Sequence, residues 1–302
     1  MHAYIGITDR DWFDFLKSRP HLDEVNFWQP SGNHHFKDLQ PGDLFLFKLH
    51  SPYNYVVGGG FFRYSNIFPI NLAWASFEEK NGARNLIEMR ARVAKYRRET
   101  PNPAANYEIG CILLEQPFFL DQKDWVPVPD WNPNIVQGKG YDLTSGFGLS
   151  IWTRLHMPTP KEFEVHEDHA RFGKPFTLLP RLGQGSFRLM VTDSYERRCA
   201  ITNERTLPVL EAAHIKPYSE GGQHAVNNGI LLRSDIHTLF DEGYVTINPS
   251  MQFEVSRKIK EEFENGKDYY SLQGRSIRIP ANPVFRPDPK FLEWHNTTKF
   301  RV

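Results

Sequence analysis

The first half of the chain alternates short apolar runs with turn-forming residues. From residue 4 to about residue 155, aromatic and β-branched residues come in groups bounded by Gly, Pro and Asn, a pattern typical of short strands. A turn at residues 41–43 precedes the apolar run Leu44–Leu49, and the run Tyr55–Phe62 follows as its predicted partner. The pattern predicts a small β-barrel.

One segment of this half has the spacing of a helix. Between Ala83 and Arg98, apolar residues recur every three or four positions, at Leu86, Met89, Val93 and Tyr96. Basic residues crowd the remaining positions and form the densest basic cluster of the chain. We predict that Arg84, Arg90 and Arg97 contact DNA phosphates, with a merely solvated helix face as the alternative.

The chain changes character near its middle. Residues 157–182 are rich in Pro, His and mixed charge, and 302 residues suffice for two cores of ordinary size. We therefore predict a first domain at residues 1–160, a linker at 161–182 and a second domain at 183–302. A predicted helix at Ser186–Arg197 leads into Cys199.

The composition fits a folded protein and narrows the possible classes. Apolar residues make up 40% and charged residues 24%, which excludes a mostly disordered or fibrous chain. The net charge is zero, so any DNA-binding surface must be local. Neither Cys111 nor Cys199 lies in a C-x-x-C pair, so we expect no disulfide framework. Without a signal-peptide pattern or an apolar run of roughly 20 residues, a cytoplasmic protein is expected.

Three residues of the second half have the spacing of a metal-dependent phosphodiesterase. His214, Asn228 and His237 are separated by 14 and 9 residues, which fits a strand, a turning loop and a helix. Phosphodiester hydrolysis needs an activated water and a cation that offsets charge on the phosphate. A neutral imidazole at His214 can take a proton from water, and His237 can bind the cation through a ring nitrogen.

The neighbouring residues extend this hypothesis. A helix at Ser234–Asp241 would place Asp241 on the same face as His237, four residues earlier. An imidazole and a carboxylate suit Mg²⁺, with Mn²⁺, Co²⁺ or Ni²⁺ as alternatives, better than structural zinc. Asn228 is predicted to fix its loop through side-chain hydrogen bonds to the backbone, and Lys216 is predicted to contact the DNA backbone.

Each of these residues also has a plain structural interpretation. A histidine beside two alanines is commonly a hydrogen-bonded core residue, Asn228-Gly229 is a common hairpin turn, and Asp241 can simply end its helix. The joint order and spacing of the three residues favour the catalytic interpretation. His224 lies in a polar loop and is expected to be exposed to solvent.

The segment from Arg181 to Ser256 resembles the HNH endonucleases, which have a ββα-metal fold. The resemblance rests on these stretches: Gly183-Gln184, Phe187-Arg188, Tyr195–Cys199, Thr206–Pro217, Gly221-Gly222 and His237–Asp241. It implies that His214 is the general base, Asn228 the loop-fixing residue and His237 a metal ligand.

The chain departs from this family at two places. Many relatives have a second metal ligand just before the base, where this chain has Ala213, and we expect Asp241 or Glu211 to take its place. Relatives with C-x-x-C pairs also carry a structural zinc. Here Cys199 is followed three positions later by Thr202 instead of a second cysteine, so no zinc is expected.

The first half resembles EVE domains of the PUA-like superfamily, small barrels of which some recognise modified cytosine. The resemblance rests on Val25–Pro30, Pro41–Phe47, Lys48–Pro52 and Val56–Gly59. It implies an α+β fold with an N-terminal PUA-like (EVE) β-barrel domain and a C-terminal ββα-metal HNH domain. This fusion resembles modification-dependent restriction endonucleases, whose partner is double-stranded DNA carrying 5-methylcytosine or 5-hydroxymethylcytosine.

Such a reader would flip the base from the helix and hold it between aromatic faces. The candidate faces are Phe27, Trp28, Tyr53, Tyr55 and Trp74, with Asp23 or Asp43 as acceptors for the cytosine amino group. Aromatic residues make up 14% of the chain, and the alternative is that these are core residues.

The favoured hypothesis is a type IV restriction-like endonuclease that cuts modified DNA with Mg²⁺. Cutting both strands is simplest for a homodimer with one site per strand. Two alternatives stay open. One is an HNH nicking or weakly specific nuclease whose first domain binds RNA or ordinary DNA, and the other is a reader whose HNH fold clamps the duplex without cutting it.

Overall fold

Two units, Met1–Pro180 and Arg181–Val302, make up the chain. The computed structural model describes residues 2–98, 102, 104–129, 131–155 and 183–302. The predicted linker at residues 161–182 lies outside these residues, so the domain limits stay a prediction.

A seven-stranded mixed sheet forms the centre of the first unit. Its strands are β1 (His2–Thr8), β2 (Glu24–Gln29), β3 (Leu44–Leu49), β4 (Tyr55–Pro69), β5 (Glu108–Phe119), β6 (Val126–Pro127) and β7 (Gly138–Asp142). The order of pairing is β2-β5-β4-β3-β1-β7, with β6 beside β4. Strands β1 and β3 are parallel, and the other pairs are antiparallel. The predicted pairing of Leu44–Leu49 with the run after Tyr55 is confirmed.

The helices of this unit are α1 (Arg10–Lys17), α2 (Ile70–Phe77), α3 (Leu86–Arg97) and α4 (Gly146–Arg154), with 3-10 helices at Glu78–Asn81 and Gln122–Asp124. Helix α3 confirms the helix predicted between Ala83 and Arg98. It begins where the Asn85 side chain accepts a hydrogen bond from the Glu88 backbone N–H at 2.9 Å. Helix α1 buries Trp12, Phe13 and Leu16 against the sheet.

Aromatic side chains fill the inside of the curled sheet. The rings of Phe27 on β2 and Phe45 on β3 lie 4.7 Å apart between centroids, although β5 and β4 separate these strands along the sheet. On β1, a Cβ at Gly6 would lie 2.4 Å from the Phe45 ring, so only glycine leaves room for these rings. The sheet therefore curls until its two ends approach each other.

The sheet is curled but not closed. The path of paired strands runs from β2 to β7, and within the described residues these two strands do not pair. Beside β2 lies the 3-10 helix Glu78–Asn81 instead, where the Asn81 carbonyl accepts hydrogen bonds from the indoles of Trp12 (3.1 Å) and Trp28 (3.0 Å). The predicted closed barrel is wrong in this respect, because side-chain contacts take the place of the last strand pairing.

The second unit contains the predicted ββα arrangement. Strands β8 (Leu210–His214) and β9 (Gly229–Arg233) pair antiparallel, and helix α6 (Ser234–Asp241) follows β9 directly, with the bounds that the sequence predicts. The remaining elements are α5 (Gln184–Ser194), β10 (Val245–Ile247), β11 (Phe253–Val255), α7 (Lys258–Phe263), α8 (Lys267–Tyr270) and α9 (Pro289–Thr298). Helix α5 ends earlier than the predicted Arg197, because Glu196 and Arg197 both adopt positive φ.

Two further findings concern the described residues. Cys111 and Cys199 are both buried and unpaired. No helix in the described part of the chain combines the length and apolar character that crossing a membrane requires.

Candidate active site

His214 stands at the end of β8, with an aromatic ring against one of its faces. The ring of Phe187 stacks on the imidazole at 3.9 Å between centroids and 9° between planes. Across the strand pair, His214 faces Gly229, where a Cβ would lie 2.9 Å from the Phe187 ring. Glycine at position 229 therefore makes room for the stacked pair, and the pair fixes the plane of the imidazole.

This environment keeps His214 neutral. Burial, together with the charges of His224 and His237, lowers the pKa of His214 to about 4. At pH 7 the imidazole is therefore unprotonated, which is the state in which it can accept a proton from water.

A second histidine contacts His214. The Nδ1 atom of His224 lies 2.9 Å from the Nε2 atom of His214, and the ring of Tyr218 stacks beside His224 at 5.1 Å. His224 is half-buried, so the expectation that it is exposed to solvent is wrong. The contact joins residues ten positions apart through an irregular loop, and no periodic pattern in the sequence indicates it.

Asn228 makes the hydrogen bonds that the sequence predicts. Its side chain is fully buried; Oδ1 accepts from the Lys216 N–H at 2.9 Å, and Nδ2 donates to the carbonyls of Lys216 (2.9 Å) and Gln223 (2.8 Å). The Asn228 carbonyl accepts from the Ile215 N–H at 2.9 Å. These bonds tie the loop that carries His224 to the strand end that carries His214.

His237 lies between two carboxylates. Its Nε2 atom is 3.3 Å from Asp241 Oδ2, as the four-residue helical spacing predicts, and its Nδ1 atom is 2.6 Å from Glu211 Oε2 on β8. Burial raises the pKa of Asp241, and Glu242 and Glu211 act in the same direction, whereas His237 and Lys299 oppose this shift. Crowded carboxylates of this kind are stabilised by a cation.

The donor atoms suit a hard divalent ion that is held by few protein groups. One imidazole and one or two carboxylates are available, and Mg²⁺ commonly keeps several waters and takes further oxygens from substrate phosphate. Ala213 is fully buried and provides no donor. Among the described residues, no group of three or more His, Cys, Asp or Glu side chains is gathered closely enough to hold an ion by itself.

These side chains border one open cleft. The cleft has a volume of about 540 Å³ and is lined by His214, His237 and Asp241, together with Gln184, Arg188 and Lys299. Lys216 is not part of its lining. Its ammonium lies instead 5.3 Å from the centroid of the Trp294 ring. A neutral imidazole, a histidine between two carboxylates and basic side chains thus border one cleft.

The family comparison agrees with this geometry. Residues 199–248, which include β8, β9 and α6, match the family model described as HNH endonuclease. These residues form an HNH endonuclease domain. The match spans His214, Asn228 and His237 but ends well before the C-terminal helix α9.

Solved structures resemble the chain only distantly, and no curated protein matches it. A mutant ZmASCH protein from Zymomonas mobilis is 9% identical with a TM-score of 0.32, over 51% of this chain and 95% of that chain. A modification-dependent TagI restriction endonuclease is 12% identical with a TM-score of 0.31, over 94% of this chain and 78% of that chain. At these scores neither likeness establishes a shared fold.

Outside the HNH domain, the structure does not gather the five aromatic residues predicted to bind a base. Phe27 is a core residue, and Trp74 is a half-buried residue of α2. Tyr53 and Tyr55 are 41% and 37% exposed, and each has a different neighbour, Arg10 for the first and Trp125 for the second. Trp28 is a half-buried residue of β2.

A polar group that no sequence pattern indicates lies close to Trp28. The Tyr96 ring lies 6.3 Å from Trp28, and its hydroxyl donates to Asp9 and lies 3.3 Å from His50 Nε2. Asp9 and His50 follow the parallel strands β1 and β3, so the fold brings them to the same end of the sheet. The predicted acceptors are engaged elsewhere: Asp23 with Lys80 at 2.6 Å, and Asp43 with the Gln40 N–H at 2.8 Å.

The three arginines predicted to contact phosphates, one just before α3 and two within it, have different environments. Arg84 is exposed and pairs with Glu88 at 2.8 Å. Arg90 is buried and donates to the Asn71 side chain at 2.6 Å, so its predicted phosphate contact is wrong. Arg97 donates to the carbonyls of Pro30 (2.7 Å) and Glu108 (2.5 Å) and thereby holds the fold together.

Proposed function

We propose that this protein is a metal-dependent DNA endonuclease that cuts DNA carrying modified cytosine. The observation that carries the nuclease part is the convergence of His214, His237 and Asp241 on one cleft within a domain that matches HNH endonucleases. The reader part is supported by the resemblance of the first half to EVE domains and by the exposed aromatic residues of that half.

In the proposed reaction, His214 accepts a proton from a water molecule whose oxygen bonds to phosphorus while the bond to the leaving oxygen breaks. The leaving oxygen keeps the electron pair of that bond and takes a proton from solvent water. His224 positions the imidazole, and Asn228 holds the two segments that carry this histidine pair. His237 and Asp241, with Glu211 beside them, are the residues that would hold Mg²⁺. The bound ion would offset negative charge on the phosphate.

For the reader, we propose that a flipped base stacks near Trp28, with Tyr53, Tyr55 and Trp74 as further candidate faces. Tyr96 lies beside Trp28, and its hydroxyl donates a hydrogen bond to the Asp9 carboxylate. This carboxylate is our candidate acceptor for a hydrogen bond from the cytosine amino group. Stacking on an aromatic ring contributes about 1–3 kcal/mol per base, which offsets much of the cost of unstacking.

The test is a cleavage assay with matched plasmids. We expect a plasmid that carries 5-methylcytosine or 5-hydroxymethylcytosine to be cut in Mg²⁺ and the unmodified plasmid to survive. His214→Ala should abolish cutting while DNA binding is retained, because only proton transfer is removed. Linear rather than nicked product would support two copies acting together.

Each other outcome of this assay has a defined meaning. Equal cutting of both plasmids would reject the reader role, and cutting by His214→Ala would remove this residue as the base. DNA binding without hydrolysis in Mg²⁺, Mn²⁺, Co²⁺ or Ni²⁺ would reject the nuclease in favour of a non-cutting clamp.

A further inference from the structure

The C-terminal helix α9 lies outside the segment that matches the HNH family but contacts both halves of the catalytic motif. At its start, the Asp288 N–H donates to the Asn227 carbonyl at 2.9 Å, next to Asn228. Further along, His295 is 2% exposed and stacks on Phe240 of α6 at 3.7 Å. Helix α9 is therefore fixed both to the loop of the general base and to the helix of the metal ligands.

Polar contacts make this attachment specific. The Nδ1 atom of His295 lies 2.8 Å from the Thr246 hydroxyl, and its Nε2 atom lies 3.0 Å from the Phe240 carbonyl. The Asn296 side chain donates to the Ile247 carbonyl at 2.8 Å. Because His295 is buried and both of its ring nitrogens have polar partners, it fixes the rotation of α9 and its position along its own axis relative to α6.

Directly after α9, the backbone is held against the turn that follows α6. The Lys299 N–H donates to the His295 carbonyl at 3.0 Å, and the Arg301 N–H donates to the Gly243 carbonyl at 2.9 Å. A Cβ at Gly243 would lie 2.0 Å from the Lys299 carbonyl oxygen, so the two backbones touch. The side chain of Lys299 consequently starts from a fixed point beside the metal-ligand helix.

From this point Lys299 lines the cleft that contains His214, His237 and Asp241. It is half-buried, and in the described part of the chain its ammonium has no ion pair within 4.0 Å and no hydrogen bond. The cleft also contains the carboxylates of Asp241 and Glu211, so a bound phosphate needs cations to offset charge on its own oxygens.

We propose that Lys299 binds the phosphate that is cut, from the same cleft that His214 lines. The proposal rests on the nuclease function proposed above. A phosphodiester that is attacked by hydroxide gains negative charge, and a preorganised cation in a partly enclosed site stabilises that charge more than the substrate charge. The C-terminal helix is thus part of the active site and not an appended segment.

The decisive variants separate the charge of the side chain from its size. Lys299→Met keeps the length of the side chain, Lys299→Arg keeps its charge, and Lys290→Met is the matched control on the exposed side of α9. In single-turnover cleavage at saturating enzyme and Mg²⁺, we expect Lys299→Met to be slower than wild type by about 100-fold. Lys299→Arg should lie within about tenfold of wild type, and Lys290→Met should match it.

A metal titration separates phosphate binding from an effect on the metal ligands. Removing a positive charge beside Asp241 favours cation binding, so Lys299→Met should need no more Mg²⁺ than wild type for half-maximal rate. A wild-type rate for Lys299→Met, or full recovery of its rate by added Mg²⁺, would overturn the proposal. Loss of activity in Lys299→Arg together with a lower Tm would also overturn it in favour of a packing role.

A binding measurement keeps this inference distinct from the proposed function. In the His214→Ala background, Lys299→Met should reduce the slope of log Kd against log salt by about 1, the change expected for the loss of one phosphate contact. Lys290→Met should leave this slope unchanged. Wild-type protein that fails to cut would refute the nuclease function, while an unchanged salt slope would refute the phosphate contact of Lys299.

Discussion

The plane of the His214 imidazole is set by one stacked ring and one hydrogen-bonding partner. Phe187 covers a face of the ring, and His224 lies at Nε2, 2.9 Å away. A histidine that acts as a general base must keep its free ring nitrogen within hydrogen-bond distance of the water. Loss of the partner at the other ring nitrogen would allow the imidazole to turn away from that water. At the residue scale, therefore, His224 is the neighbour whose removal should affect the reaction most directly.

We expect His224→Ala to lower the single-turnover cleavage rate by about tenfold to 100-fold while DNA affinity stays within about twofold. His224→Asn should retain more activity than His224→Ala, because an amide can place a polar atom close to the position of Nδ1. His34→Ala, at an exposed histidine of the first unit, is the control. Wild-type cleavage by His224→Ala would rule out the positioning role.

Local spacing predicted part of this site, and tertiary packing decided the rest. The contact of His237 with Asp241 follows from one helical turn, so the sequence indicates it directly. The contact of His214 with His224 depends on an irregular loop, and the placement of Lys299 depends on a helix far along the chain. Neither has a local signature.

At the scale of elements, the junction between α6 and α9 places Lys299 at the cleft. Gly243 has a φ of 76°, and its backbone lies against the Lys299 carbonyl. Both the left-handed conformation and the close contact favour glycine at this position. Any side chain at this position has to adopt the left-handed conformation and also push the end of α9 away from α6.

Gly243→Ala is therefore expected to lower the free energy of unfolding by more than Gly274→Ala. Gly274 has a similar φ of 73°, but no atom lies within 4 Å of the position that a Cβ would occupy there, so this control carries only the conformational cost, about 1–2 kcal/mol. The clash at Gly243 should add about 1–3 kcal/mol, measured by urea unfolding. Equal destabilisation by the two variants would show that the junction adapts freely.

Long or strongly patterned elements were the predictable ones. The apolar run of β3, the helical spacing of α3 and the short helix α6 follow from the sequence with accurate or nearly accurate bounds. Helix α2 is eight residues long and mostly apolar, so its pattern resembles that of a strand. In α1 the buried residues Trp12, Phe13 and Leu16 have helical spacing, so that helix was predictable although we did not predict it. The missing pairing at the end of the sheet was not predictable, because Asn81 contacts β2 through side-chain hydrogen bonds between distant segments.

At the scale of the whole molecule, the proposed function places recognition and cutting in different units. Trp28 and Tyr53 belong to the first unit, whereas His214 and His237 belong to the second. Variants in different units that share no partner are expected to act independently on binding and on catalysis.

We therefore expect Trp28→Ala and Tyr53→Ala to reduce the preference for modified over unmodified DNA by about fivefold to 100-fold each, since each removes a candidate stacking face. His214→Ala should keep the full preference while losing cleavage. Competition binding with modified and unmodified duplexes measures both. An unchanged preference in both aromatic variants would exclude these two faces from the reader.

The aromatic packing inside the first sheet has a consequence for where a ligand can be held. Gly6, Phe27 and Phe45 are in contact across the curled strands, so side chains fill this part of the described interior. If this unit binds a nucleobase as proposed, the base would lie at the rim, where Asp9 and His50 follow the carboxyl ends of β1 and β3. Specificity in this unit would then evolve through a few loop residues, while the packed interior stays unchanged.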